Sequence, residues 1–166
     1  GDMASAYDPK CERFYMFFGD QGTPQNCEIV VVPIFMPGGH VYEKRLNRWT
    51  SINFEAGDEP SKRARSRAVW DERRDRAVVF GGRYKTSPSA SYQYPVDLWA
   101  FDPATRTWEE LASSGGPRGR INFVMAADPD RDRVIVHGGG ALSGSTVNLT
   151  PDTWAFDLEN RVWSKI

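Results

Sequence analysis

The chain has 166 residues, of which 40% are apolar and 26% charged, and its formal net charge is −1. That is enough chain for one globular domain with a real core. The near-neutral balance argues against a polycation that coats nucleic acid, and no run of 18 apolar residues is present to cross a membrane as a helix. Glycine and proline together number 26, so the sequence predicts many turns and few long helices.

Taken in order, the chain writes one pattern three times. The first copy, ASAYDPKCERFYMFFGD, places Asp8 and Glu12-Arg13 before an aromatic strand and Gly19; GGHVYEKRLNRW follows and ends at Trp49. The second reads AVWDERRDRAVVFGG, a loop, then VDLWAFDPATRTW. The third reads MAADPDRDRVIVHGG, a loop, then PDTWAFDLENRVW. The last two segments agree at seven of thirteen positions, and the closing tryptophans Trp49, Trp108 and Trp163 recur after 59 and 55 residues. Self-similarity at a period near 50 residues marks a propeller or a solenoid.

Each piece has a physical task. AVVF and VIV are short apolar runs suited to strands buried on both faces. DPKCER, DERRDR and DPDRDR are tight turns, in which the leading Asp can accept a hydrogen bond from the backbone two residues on. The last of these lacks the glycine and closing glutamate of a calcium loop. The diglycines Gly81-Gly82 and Gly138-Gly139 end strands where φ is positive or a second backbone passes close. LWAFD and TWAFD read as third strands, and the segments bearing Trp108 and Trp163 as fourth. Four strands per copy give twelve in all, with no convincing helix.

Diglycine after an apolar strand, a Trp-x-Phe-Asp strand, and a Trp seven residues on resemble the kelch repeat. The likeness is close in the second and third copies and worn in the first, where His40 replaces the Trp. The resemblance implies an all-β, kelch-type β-propeller segment: one repeat domain over 1–166 with four-stranded antiparallel blades at roughly 1–54, 61–112 and 117–166. Propellers close with about 4–8 blades. Three therefore imply a segment of a longer array, a second copy that completes a six-bladed ring as a homodimer, or, third in order, a stable open arc.

Function in such a scaffold belongs to the parts that do not repeat. The resemblance points to the loops at 20–37, 83–96 and 140–151 and to the links at 53–62 and 112–117. The loop RYKTSPSASYQYP offers Arg83, Tyr84, Tyr92 and Tyr94, residue types that combine area with directed hydrogen bonds. In SKRARSR, Arg63, Arg65 and Arg67 alternate, as they would on one strand face. Arg120 matches Arg63 in the third copy, and Arg118 lies beside it. These arginines are candidates to hold an acidic peptide or a carbohydrate carboxylate; the competing reading pairs them with Asp or Glu of a neighbouring blade.

The expected function is a binding scaffold for another protein, with no nucleic-acid or membrane partner. The alternative is part of a kelch-propeller enzyme or carbohydrate-binding protein. Two histidines without metal spacing, no CxxC and no phosphate loop predict no cofactor and no metal site. Cys11 and Cys27 flank a strand that spans roughly 17 Å, whereas a disulfide needs Cα atoms about 4.4–6.8 Å apart. Two free thiols are expected. With no secretory leader at the start, they favour a reducing compartment such as the cytoplasm.

Overall fold

The structure, a computed structural model, describes residues 2–21, 34–35, 38–87, 89–143 and 146–166. Three four-stranded antiparallel sheets follow one another along the chain. The first contains β1 (Ala4–Asp8) and β2 (Arg13–Phe17), then, after the short pair β3 (Asp20–Gln21) and β4 (Ile34–Phe35), β5 (Gly39–Glu43) and β6 (Arg48–Ile52). The second contains β7 (Arg67–Asp71), β8 (Arg76–Phe80), β9 (Leu98–Asp102) and β10 (Thr107–Ala112). The third contains β11 (Val124–Asp128) and β12 (Arg133–His137), then, after the hairpin β13 (Gly140–Ser143) and β14 (Thr146–Leu149), β15 (Thr153–Asp157) and β16 (Val162–Lys165). The three-by-four plan read from the sequence is present. Two pieces expected as plain loops instead form two-stranded ladders of their own. No α-helix occurs among the described residues; two single 3-10 turns, Lys44–Leu46 and Pro129–Arg131, sit inside hairpins.

The hairpins close by the chemistry their leading acids predict. Asp8 Oδ1 accepts from the Lys10 and Cys11 amides, Asp102 Oδ1 from Ala104 and Thr105, and Asp157 Oδ1 from Glu159 and Asn160. The residue that re-enters the strand takes a left-handed conformation each time: Glu12, Asp75 and Asp132 in one set, Asn47, Arg106 and Arg161 in the other. Cys11 is an exposed thiol in the first of these turns; Cys27 and most of the loop at 20–37 lie outside the described residues.

Strand alternation explains how the sheets stack. In the middle sheet Val78, Phe80, Leu98 and Ala100 face the third sheet, while Ala77, Val79, Trp99 and Phe101 face the first, and all eight are buried. One seam is filled by Tyr15, Phe17 and Phe18 against Trp70, Phe101 and Trp108. The other is filled by Phe80 and Leu111 against Phe123, Phe156 and Trp163.

The second glycine of each pair is required. Gly82 has φ +96°, and a Cβ there would lie 2.7 Å from the Ala64 carbonyl oxygen; Gly139, at φ +87°, would place one 2.6 Å from that of Ile121. In the worn copy Phe18-Gly19 takes this place, with φ +55° and +119°.

The seams predict where substitutions hurt. Trp108→Ala empties a fully packed position and is expected to cost about 3–5 kcal/mol, read as a shift in urea unfolding. Cys11→Ser, on the surface, is expected to stay within about 0.5 kcal/mol.

Candidate functional site

The candidate arginines divide sharply. Arg63 and Arg120 are 0% and 1% exposed, so the expectation that they present charge to a partner is corrected: both are committed inside their own sheets. Arg63 Nη1 and Nη2 lie 2.7 and 2.9 Å from Asp97 Oδ1 and Oδ2, and its Nε donates to the Ser61 carbonyl at 2.9 Å. Arg120 repeats this on Asp152 at 2.7 and 3.4 Å, with Nε on the Arg118 carbonyl. Each acid also accepts the indole N–H two residues on, from Trp99 or Trp154, at 2.7 Å. Arg120 further donates to the carbonyl of Gly138, the first glycine of its diglycine, at 2.8 Å. The network thus ties the incoming segment, the diglycine and the third strand of one sheet. The partner acid comes from the same sheet, not from the neighbouring one.

This network shapes the acids' titration. The guanidinium of Arg120, helped by Trp154, holds the Asp152 carboxyl down at about 2. Burial pushes Asp97 up, but Arg63 and Trp99 outweigh it and leave it below the usual carboxylate range. A depressed carboxylate stabilises the fold above its unfolded pKa of about 3.9, and that contribution fades as pH falls towards the folded value. Asp152→Asn is therefore expected to destabilise strongly at neutral pH, and the gap to the parent protein should shrink between about pH 4 and pH 2. Denaturant unfolding across that window checks it; a gap that does not change with pH contradicts it.

The expected strand through Arg63, Arg65 and Arg67 starts only at Arg67. Arg65 has φ +62°, which breaks the two-residue alternation, and Asn122, its match in the third sheet, has φ +57°. Arg65 Nε donates to Asp2 Oδ2 at 2.8 Å. Its side chain borders a concavity of about 190 Å³, shared with Asn122, Leu142 and Leu149.

The loop after β8 is where the predicted aromatic and basic residues meet. Backbone hydrogen bonds between Tyr84 and Gln93, at 3.0 and 2.8 Å, pinch its neck. Across the neck the Arg83 guanidinium lies 4.1 Å from the centre of the Tyr92 ring, and Lys85 Nζ lies 4.7 Å from the same point. Lys85 is a member that the sequence reading missed. Arg83 is half-buried, its Nε has no hydrogen-bond partner, and it pairs with no carboxylate among the described residues.

Tyr94 plays a scaffold part. Its hydroxyl accepts the Leu142 amide at 3.0 Å, and its backbone packs so tightly on Gly119 that a Cβ there would lie 2.0 Å from the Tyr94 carbonyl oxygen. Arg118, next to Gly119, is exposed. The structure therefore brings Arg83, Lys85 and Tyr92 together, and uses Tyr94 to tie this loop to the hairpin β13–β14.

Stacked four-stranded antiparallel sheets of about 50 residues each define a set of β-propeller blades. The profile of the KLHDC2/KLHL20/DRC7 Kelch-repeats domain matches residues 4–166, and the chain belongs to this kelch-repeat family. Among solved structures it is similar to one titled "Structure of YjhT", with a TM-score of 0.73 and 19% identity over 99% of this chain and 51% of that one. This chain thus spans about half the length of that neighbour.

Proposed function

We propose that the chain is a binding scaffold that captures a carboxylate-bearing segment of another protein on the shelf formed by Arg83, Lys85 and Tyr92. A kelch-repeat fold supports an interaction role in general. The observation that carries the finer reading is the state of Arg83. Its guanidinium is stacked on an aromatic face, with no carboxylate partner among the described residues, whereas Arg63 and Arg120 are each saturated by an Asp. A stacked guanidinium has already lost much of its freedom, so less is given up when a carboxylate bonds it in the plane of its fork. The Tyr92 ring supplies flat apolar area beside the charge. The scaffold holds the shelf still through the Tyr84–Gln93 neck and the Tyr94–Leu142 bond.

The test uses fluorescence anisotropy with a labelled Glu/Asp-rich peptide and its Gln/Asn counterpart. The acidic peptide is expected to bind, the neutral one not, and affinity should fall with added salt. Arg83→Ala should weaken binding roughly tenfold to a hundredfold, the loss typical of a charged hydrogen bond, with near-UV circular dichroism unchanged. Undiminished affinity in that variant would place the site elsewhere.

A further inference from the structure

The two seams repeat the same positions, yet one polar contact is complete in only one of them. Glu109 follows Trp108 on the fourth strand of the middle sheet. Its carboxylate takes Arg76 of its own sheet at 2.9 Å and Arg161 of the third sheet across the seam. Two arginines from two sheets thus converge on one acid.

The seam between the first and second sheets holds the same two arginines. Arg13 matches Arg76, five residues after the leading Asp of each turn, and Arg106 matches Arg161, two residues before each closing Trp. The acid between them is missing: the residue after Trp49, where Glu109 stands after Trp108, is Thr50. The arginines hold other partners instead. Arg13 reaches Glu43 of its own sheet at 3.4 Å, and its side chain is 42% exposed against 11% for Arg76. Arg106 pairs with Glu55, an exposed residue of the link between the sheets.

The same place is hollow. A cavity of about 240 Å³ lies between the first two sheets, lined by Arg13 and Arg106 and by Tyr15, Val41, Ile52 and Phe101. Tyr15 is 2% exposed, and the Arg13 guanidinium donates to its hydroxyl. Pro103 also borders the space. Its match in the other seam, Leu158, is a longer side chain, 5% exposed within the apolar cluster. The first seam therefore lacks both a carboxylate and an apolar side chain that the second one has.

We propose that this cavity takes a small organic carboxylate with an apolar body. Its carboxylate stands where Glu109 stands in the other seam, bonded by Arg13 and Arg106, and its body lies against Val41, Ile52 and Phe101. Guanidiniums favour a planar anion that they can bond in pairs. Apolar walls with a few convergent polar groups are the usual lining of small-molecule sites. Phosphate would meet the arginines but leave the apolar wall wet. When Arg13 turns to the ligand, Glu43 keeps Arg48, at 3.9 Å. Both seams are internal to the chain, and the site shares no residue with the shelf at Arg83.

The experiment is an NMR titration of the isotope-labelled intact chain with hexanoate, its neutral counterpart hexanol, and inorganic phosphate. Hexanoate is expected to shift the Nε–H signals of Arg13 and Arg106 and the Ile52 amide, with a Kd of about 0.1–1 mM. Hexanol and phosphate should each bind roughly tenfold more weakly or worse. Arg106→Gln should lower hexanoate affinity about tenfold. Thr50→Glu supplies the missing acid from within the chain and should close the site to hexanoate while the circular dichroism stays that of the parent. Arg83→Ala should bind hexanoate as the parent does, which separates this site from the shelf. Hexanoate that leaves these signals in place, phosphate that binds as well as hexanoate, or undiminished binding by Thr50→Glu overturns the proposal.

Discussion

The middle sheet of this molecule is apolar on both faces, and that constraint governs the rest. A sheet with one wet face can alternate polar and apolar residues; the middle sheet here cannot, since Ala77 to Phe80 and Leu98 to Phe101 are buried without interruption. Such a sheet is stable only between two others. The large aromatics therefore belong to seams rather than to single sheets, and a tryptophan is buried or exposed according to whether a neighbour stands before it.

Within that stack the Arg–Asp–Trp networks set the spacing of strands inside a blade. A buried guanidinium is costly unless fully bonded, and loss of either partner leaves a charge stranded. Arg63 and Arg120 meet that demand in parallel ways, with fork, acid, indole and carbonyl in the same places. Each network ties the incoming segment to its own blade at one place, the acid that precedes the third strand.

Much of this is legible in the chain. The repeat places Asp97 and Asp152 at the same point of two matching segments, two residues before a Trp, and Arg63 opposite Arg120. Their pairing was open to reading; that the acid lies in the same blade was not, because strand adjacency within a sheet carries no one-dimensional signature. Arg65 misleads for a different reason. Arg-x-Arg-x-Arg reads as a strand, and nothing local announces a left-handed residue that is neither Gly nor Asn. The hairpin β13–β14 escapes notice because GALSGSTVNL has weak alternation; Gly140 is needed there because Asn148 crosses so close that a Cβ would lie 2.4 Å from its carbonyl oxygen. Arg83 and Tyr92 are nine residues apart, and only the neck at Tyr84 and Gln93 makes them neighbours.

That neck has an evolutionary corollary. The paired backbones of Tyr84 and Gln93 close the base of the loop, so residues 85–87 and 89–92 stand outside the strand ladder of the blade. These residues can therefore change without altering a strand pair of the four-stranded sheet. A fold so partitioned can acquire new partners one loop at a time.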